Sequence, residues 1–246
     1  SPKEIYFTSC GSESDNLAIK GIAYANKEKG KHIITSKIEH NAVLNSCERL
    51  EEQGFEITYL NVDQNGFVNL EELKNAIRED TILITIMFAN NEVGTIEPVE
   101  KIAEIAKNNN IIFHTDAVQA FGKIDVPVHE WGVDLASLSA HKIGGPKGIG
   151  ALFVKRGTNM FTTAFGGGQE RGLRSGTEPV YLAAGFAEAV RCAFSDRQAE
   201  EMRVRGLWDH LRMRVNAEIP DAVINSREDG SPYLFNFSVP GMKNQV

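Results

Sequence analysis

The sequence predicts an α/β protein, a three-layer sandwich around a mostly parallel sheet of about seven strands, followed by the beginning of a small α+β unit. Two observations lead to this fold class. Apolar segments rich in β-branched residues alternate with stretches of helical periodicity along most of the chain. These apolar segments are nearly continuous, which is typical of parallel strands covered by helices on both faces.

The predicted strands are short and are separated by turn-forming residues. They cover residues 4–8, 32–36, 56–60, 82–87, 111–115, 135–139 and 149–154. The predicted helices between them cover residues 14–29, 41–53, 70–78 and 99–108. The last of these helices follows Pro98, because proline is tolerated in the first turn of a helix.

A change of pattern after Pro179 predicts a second unit. One long helix is expected from residue 180 to about residue 219, and strand-like segments are expected at 222–225 and 234–239. Residues 241–246 complete no further element. We therefore expect a large ligand-binding domain over residues 1–177 and a truncated small domain over residues 178–246.

The composition limits the classes of partner. The 246 residues carry a formal net charge of −7 with dispersed Lys and Arg, which argues against a nucleic acid or an anionic membrane as the main partner. The chain has neither a signal peptide nor a long apolar run, so we expect a cytoplasmic protein. Cys10, Cys47 and Cys192 are widely spaced, which predicts neither a disulfide framework nor a metal site.

The most informative segment is Ser139-Ala140-His141-Lys142, which is followed by a glycine-rich turn. It places a lysine at the end of a predicted apolar strand. An apolar setting favours the neutral amine, and a neutral amine forms imines with carbonyl cofactors such as pyridoxal phosphate. A lysine beside a glycine turn is more often a solvated loop residue, so this prediction depends on the residues nearby.

Polar residues follow several other predicted strands, where ligands of open parallel sheets bind. Asp116 could pair with a pyridine nitrogen or simply cap the next turn. Gln119 could donate to a ring oxygen or be solvated, and Asn91 could contact a ligand or serve turn formation. His40 could stack on a ring and move protons, although a lone histidine at a helix start is more often structural.

Two further segments could bind an anion. Gly11 and Ser12 open a predicted helix, where free backbone N–H groups form a phosphate cradle, although Ser12 and Ser14 could equally be N-caps. The glycine-rich run at residues 165–177 could present Thr177 and backbone amides. Nucleotide-binding motifs with the usual glycine spacings are absent from the sequence.

Together these segments resemble the NifS/IscS type of cysteine desulfurase, of the class-V aminotransferase group and the fold-type I pyridoxal-phosphate enzymes. The segments that carry the resemblance are Glu39-His40, Asn90-Asn91-Glu92-Val93-Gly94, Asp116-Ala117-Val118-Gln119, Ser139-Ala140-His141-Lys142 and residues 167–177. They occur in the family's order over nearly the whole chain, and their combination is highly specific.

The resemblance implies pyridoxal 5'-phosphate as the cofactor. Lys142 would bind it as a Schiff base, His40 would stack on its pyridine ring, and Asp116 would pair with the ring nitrogen. Gln119 would bond to the phenolic oxygen, and Asn91 would lie beside the ring and the substrate. By the same resemblance, Lys142 and His40 are the catalytic residues.

The resemblance also assigns the phosphate site. Ser12, Ser139 and His141 would hold the phosphate, with Gly11 in the same turn as Ser12. Thr177 would reach the phosphate bound by the other subunit of a homodimer. The implied reaction converts L-cysteine to L-alanine and leaves a persulfide on an enzyme cysteine, which supplies iron-sulfur cluster assembly or thiolation through a sulfur-acceptor or scaffold protein.

The sequence departs from the family pattern in two ways. Many relatives have Ala-Thr where this chain has Gly11-Ser12. The family's persulfide cysteine and substrate-carboxylate arginine lie beyond Val246, and none of the three cysteines takes the nucleophile's place. We therefore expect a segment of a longer protein that binds the cofactor but does not complete sulfur transfer.

Two alternatives remain open. The first is a selenocysteine lyase or another class-V aminotransferase, because these enzymes share the lysine and the aspartate. The second is a truncated, non-catalytic paralogue that acts as a scaffold. The presence of Lys142, Asp116 and His40 together argues against a degenerate site.

Overall fold

A central sheet of seven strands organises the computed structural model, which describes residues 1–242. The strands are β1 (Ile5–Thr8), β2 (His32–Ser36), β3 (Glu56–Leu60), β4 (Thr81–Thr85), β5 (Ile112–Asp116), β6 (Leu135–Ser139) and β7 (Gly150–Val154). Their order across the sheet is β1-β7-β6-β5-β4-β2-β3. Strand β7 pairs antiparallel with β1 and β6, and the other pairs are parallel, which confirms the predicted mostly parallel sheet.

Seven α-helices accompany the sheet within the described residues. They are α1 (Gly11–Asn26), α2 (Asn41–Glu51), α3 (Leu70–Ala76), α4 (Val99–Asn108), α5 (Val128–Trp131), α6 (Val180–Ser195) and α7 (Arg197–Glu218). Two short strands, β8 (Val223–Ile224) and β9 (Phe237–Ser238), pair antiparallel after α7. Up to residue 242, no helix combines the length and the apolar character that a membrane span requires.

Helices cover both faces of the sheet, as the continuous apolar strands predict. Successive strand residues point to opposite faces. Ile33 packs in a core cluster with residues of α1 and α2, whereas its neighbour Ile34 packs in a second cluster with residues of α3 and α4. The predicted three-layer arrangement is therefore confirmed.

The predicted single helix after Pro179 is wrong, because α6 and α7 are separate helices. Asp196 lies between them with φ −134° and ψ 28°, outside the helical region. The Ser195 hydroxyl donates to the Cys192 carbonyl oxygen at 2.9 Å. Serine and aspartate side chains compete with the backbone for hydrogen bonds in this way, which favours a helix end.

The predicted strand over residues 234–239 is also wrong in length, because only Phe237–Ser238 forms a strand. The Leu234 carbonyl oxygen accepts instead from the Trp208 indole nitrogen at 2.9 Å, and the Asn236 amide donates to Ser226 Oγ at 2.8 Å. These hydrogen bonds hold residues 234–236 against α7 and against the chain that follows β8. The end of the predicted small domain, residues 243–246, lies outside the described residues.

Candidate active site

A cavity of about 270 Å³ lies at the carboxyl edge of the sheet, and we call it the strand-end cavity. The predicted site residues in its wall are Gly11, Ser12, His40, Asn91, Asp116, Gln119, Ser139, His141 and Lys142. They meet because β2, β4, β5 and β6 run in parallel and so end on one edge. Thr177 is not in this wall and lies exposed before α6.

The first turn of α1 supplies one end of the cavity. Its N-cap, Cys10, makes no side-chain capping bond, and the first N–H groups of a helix have no partner within it. Ser14 is buried and its hydroxyl donates to the Ala151 carbonyl oxygen at 3.0 Å, so Ser14 is structural. The exposed Ser12, by contrast, lines the cavity. Free amides and one hydroxyl at a helix N-terminus favour an anion here.

Ser139 and His141 complete this anion-binding end. Ser139 Oγ and His141 Nδ1 are 2.8 Å apart, at the junction of β6 and the one-turn helix Ala140–Ile143. Burial and the nearby ammonium of Lys142 lower the pKa of His141, so the imidazole is neutral near pH 7. When the serine hydroxyl donates to Nδ1, the Nε2–H group is free to donate to an anion.

Asp116 lies buried at the end of β5, away from the surface. Its Oδ1 accepts from the Val118 amide at 2.9 Å, so it does cap the following turn. Burial raises its pKa, whereas that hydrogen bond and the charge of Lys142 act in the opposite direction. A protonated ring nitrogen at this carboxyl would further favour its ionised form.

His40 is the N-cap of α2, and its Nδ1 accepts from the Ala42 amide at 3.1 Å. This bond assigns the proton of the neutral imidazole to Nε2. The preceding Glu39 is buried and accepts at Oε1 from Ser36 Oγ at 2.7 Å and from the Met87 amide at 2.9 Å. Burial raises the pKa of Glu39 to about 8, and its contacts fix the loop that presents His40.

The two neighbouring asparagines have different roles. Asn90 is buried and its Oδ1 accepts from the amides of Glu92 and Val93, each at 2.9 Å, so it stabilises the turn. Asn91 lies in the cavity wall. The turn is therefore stabilised by Asn90, and Asn91 is the residue of this segment that a ligand in the cavity could contact.

Gln119 also lies in the wall, and a neighbouring lysine orients its amide. Its Oε1 accepts from Lys123 Nζ at 3.0 Å, which leaves the amide NH₂ group available as a donor. Burial and the charge of Lys142 lower the pKa of Lys123 to about 8.

The expected apolar setting of Lys142 is wrong. The residue is exposed in the one-turn helix Ala140–Ile143, where the polypeptide leaves β6 for the glycine-rich turn. The apolar side chains of β6 pack into the sheet, and Lys142 lies beyond them at the cavity wall. Lys142 is therefore exposed rather than enclosed by apolar side chains, and Asp116, Lys123 and His141 are its electrostatic neighbours.

Sequence reasoning missed several wall residues, which are Asp15, Met87, Ala89 and Val118. Asp15 follows Gly11 by four positions and therefore lies on the same face of α1, a spacing that could have identified it. Met87 and Ala89 follow β4, as Asn91 does. Cys10 also lines the cavity, whereas Cys47 is buried.

Comparison with known proteins shows the family to which the chain belongs. Residues 1–245 match the family described as aminotransferase class-V. The chain belongs to this family. A cysteine desulfurase IscS from Clostridium botulinum is 50% identical over 246 residues, which cover 99% of this chain and 62% of the relative. One from Methanosarcina thermophila is 56% identical over 208 residues, which cover 85% of this chain and 52% of that relative.

Solved structures of similar proteins have the same fold. A NifS-like protein superposes with a TM-score of 0.91 at 41% identity and covers 98% of this chain and 67% of its own. A structure described as SspA in complex with cysteine has a TM-score of 0.87 at 41% identity. The predicted resemblance to the NifS/IscS type is thereby confirmed, and the chain spans about three fifths of the length of the curated relatives that it matches.

The strand-end cavity fits pyridoxal phosphate, the cofactor of this family. One end offers helix amides, the Ser12 hydroxyl and the Ser139–His141 pair, which suit a phosphate. Buried Asp116 suits a ring nitrogen, and Lys142 provides an amine within the same wall. The amides and hydroxyls, the carboxyl and the amine therefore match the phosphate, the pyridine nitrogen and the aldehyde of the cofactor, respectively.

Proposed function

We propose that this protein is a pyridoxal-phosphate-dependent cysteine desulfurase, of which the chain forms the cofactor-binding part. The observation that carries the proposal is the convergence of Lys142, Asp116 and the first turn of α1 on one cavity. The proposed reaction takes L-cysteine and an enzyme thiol to L-alanine and an enzyme persulfide. The substrate class is supported by relatives named cysteine desulfurase and by a similar structure described as a complex with cysteine.

The chain's own residues would bind and orient the cofactor. Pyridoxal phosphate, when bound, supplies an electron-withdrawing ring that stabilises negative charge on a substrate carbon. Ser12, Ser139 and His141 would hold the phosphate together with the first amides of α1. Asp116 would hold the ring nitrogen, and Lys142 would hold the cofactor covalently through its ε-amine.

The remaining wall residues would orient the ring and move protons. His40 carries its proton on Nε2, the atom that is free to contact a ligand, because Nδ1 is occupied by the Ala42 amide. Gln119 would donate its NH₂ group to the phenolic oxygen, since Lys123 holds its carbonyl oxygen. Asn91 would lie beside the substrate. We propose Lys142 and His40 as the groups that transfer protons.

We also propose a homodimer, in which Thr177 reaches the partner's phosphate. Its exposure and its position outside the cavity of its own chain support this role.

A sulfur-acceptor or scaffold protein would receive the persulfide sulfur, and we propose the cytoplasm as the compartment. We retain residues 1–177 and 178–246 as the proposed domain division.

Trapping the cofactor tests the proposal. The full-length protein is incubated with pyridoxal phosphate, reduced with borohydride and mapped for a pyridoxyl group, which we expect on Lys142. Lys142→Ala should abolish the adduct, whereas Lys147→Ala, which changes a second exposed lysine of the same turn, should retain it. An adduct on another lysine, or none, would contradict the proposed site. L-cysteine-dependent formation of alanine, compared with the rate on L-selenocysteine, then distinguishes the desulfurase from a selenocysteine lyase.

A further inference from the structure

Asp15 is a second buried carboxyl in the wall of the strand-end cavity, and neither the family resemblance nor the proposed reaction uses it. It lies on α1 and is 1% exposed. Its Oδ1 is fully buried and has no hydrogen-bond partner among the described residues. A buried polar oxygen without a partner is costly, so its presence beside a ligand site calls for a physical explanation.

Asp15 has no cation to compensate a negative charge. Within residues 1–242, the basic group within 4.0 Å of its carboxyl oxygens is His114, whose Nε2 is 3.7 Å from Oδ1. The two His114 nitrogens already contact hydroxyls, Nδ1 that of Thr85 at 2.8 Å and Nε2 that of Ser137 at 2.9 Å. Complete burial lowers the pKa of His114 to about 3, so this imidazole is neutral.

Asp15 shares its surroundings with the carboxyl that we assign to the cofactor nitrogen. His114 and Asp116 are two residues apart on β5, so their side chains point to the same face of the sheet. Ser137 is the register partner of Asp116 on β6 and contacts His114. Since Asp15 lies against His114, it faces this same polar patch beneath the first turns of α1.

The charged groups around this patch favour ionisation of Asp116 over that of Asp15. Asp15 faces the carboxyl of Asp116, whose negative charge opposes a second one beside it, and the neighbouring Glu39 carboxyl and Cys10 thiol bring no positive charge, whereas the Ser137 hydroxyl favours ionisation. Asp116, in contrast, accepts a hydrogen bond from the Val118 amide and lies near the Lys142 ammonium, and both favour its ionised form. Two neighbouring buried carboxyls do not both ionise readily, and the one without cations keeps its proton.

We propose that Asp15 stays a neutral carboxylic acid beside the cofactor site, which leaves Asp116 as the single negative charge at this end of the cavity. The inference rests on the proposed function where it assigns Asp116 to the cofactor nitrogen. Burial and the Asp116 charge both raise the pKa of Asp15 well above that of a free aspartate, in agreement with this arrangement.

A titration of the cofactor-free, full-length protein tests this protonation state directly. Aspartate carboxyl carbons are labelled with ¹³C and followed by NMR, and Asp15→Asn and Asp116→Asn assign the two resonances. We expect the Asp15 carboxyl to remain protonated at pH 7, whereas aspartates in peptides titrate near about 3.9. Should Asp15→Asn not fold, the wild-type spectrum still decides, because a spectrum without any protonated aspartate at pH 7 overturns the proposal.

Cofactor binding tests the functional part. Asparagine has the shape of aspartate but no charge, so Asp15→Asn should bind pyridoxal phosphate within about twofold of wild type at pH 7, whereas Asp116→Asn should weaken binding at least about tenfold. Above the pH at which the Asp15 resonance titrates, affinity should fall in the wild type but not in Asp15→Asn.

A tenfold loss in Asp15→Asn at pH 7 would mean that Asp15 acts as an anion and would overturn the proposal. Failure of every variant to bind the cofactor would instead contradict the proposed function, while the cofactor-free titration would still decide the state of Asp15.

Discussion

The Arg174 guanidinium donates two hydrogen bonds to the Glu13 carboxylate, from Nε to Oε1 at 2.7 Å and from Nη2 to Oε2 at 3.3 Å. Glu13 directly follows Ser12 in the first turn of α1, and Arg174 precedes Thr177 in the glycine-rich run. The pair therefore connects the anion-binding end of the strand-end cavity to the segment proposed to reach the partner subunit. Both side chains are mostly shielded from solvent, with exposed fractions of 22% and 27%.

We expect Arg174→Lys to lower the free energy of unfolding by about 1 to 2 kcal/mol, because a lysine cannot make the two-point contact with a carboxylate. Cofactor affinity should fall with it, since Ser12 and Thr177 lose a shared anchor. Urea unfolding and a pyridoxal phosphate titration measure the two effects. Arg191→Lys is the matched control, because its pair with Glu188 is exposed and should contribute little. Equal effects of both substitutions would contradict the anchoring role.

Position 11, in the first turn of α1, has room for glycine but not for a larger residue. A Cβ atom at Gly11 would lie 2.8 Å from Val118 Cγ2, too close for two carbon atoms. We expect Gly11→Ala to destabilise this chain by about 1 kcal/mol after the better helix propensity of alanine is included. Val118→Ala should remove the conflict, so the double variant should be more stable than the sum of the single changes predicts. Strictly additive unfolding free energies would show that the two residues do not conflict.

Much of the sheet and most of the site could be predicted from the sequence, because local patterns encode both. Continuous apolar runs identify strands, and polar residues at their ends meet wherever parallel strands share an edge. The predicted start of the first helix at Ser14 was wrong because the structure begins α1 at Gly11 without a side-chain cap. Hydroxyls that usually cap helices are used differently here, since Ser14 bonds to β7 at the Ala151 carbonyl oxygen.

The residues that the sequence did not reveal are those whose environment comes from distant segments. The surroundings of Asp15 include His114, Asp116 and Ser137, about a hundred positions away on β5 and β6, and no local pattern indicates them. The prediction for Lys142 was wrong in the opposite direction. The apolar residues before it suggested an apolar setting, but its own side chain is exposed. Burial of a polar group is a tertiary property, so it becomes visible only when the strands are assembled.

Two side chains protect one edge of the sheet. β1 is one of the two edge strands, and its Phe7 amide donates to Glu170 Oε2 at 3.0 Å, while its Ile5 carbonyl oxygen accepts from Arg171 Nη2 at 2.6 Å. Glu170 and Arg171 both have positive φ, 46° and 56°, which is unfavourable for residues other than glycine. The contacts with the strand edge offset this strain.

We expect Arg171→Gly to test which effect is larger. Glycine relieves the backbone strain but loses the hydrogen bond to Ile5 and the stacking of the guanidinium on the Tyr6 ring, 4.0 Å away. The contacts should outweigh the strain, so unfolding should become easier by about 1 kcal/mol and the free edge should promote self-association. The control is Arg156→Gly, which replaces an exposed arginine outside the glycine-rich run at residues 165–177. Sedimentation and urea unfolding compare the two variants. A stabilised Arg171→Gly protein would show that the strain dominates.

The pH dependence of stability should carry the signature of one buried carboxyl outside the site. Glu97 is 3% exposed, its Oε2 accepts from the Val68 amide at 3.1 Å, and its Oε1 has no partner among the described residues. Burial raises its pKa to about 7, against the effect of that hydrogen bond. The folded state therefore binds a proton that the unfolded state has released, between about pH 4.3 and about pH 7.

The sign follows from this difference. Below about pH 4.3 the residue is neutral in both states, and as the pH rises towards 7 the unfolded state gains a favourable ionisation that the folded state lacks, so stability falls by about 3 kcal/mol. Glu97→Gln keeps a neutral acceptor for Val68 and should remove the part of the decline that is due to Glu97, while Glu39 keeps its own part, so the variant should be more stable than wild type at pH 8. Urea unfolding from pH 4.5 to pH 8 measures the difference, with the exposed Glu100→Gln on α4 as the control. A Glu97→Gln protein whose stability follows the wild-type pH profile would mean that Glu97 ionises normally in the folded state.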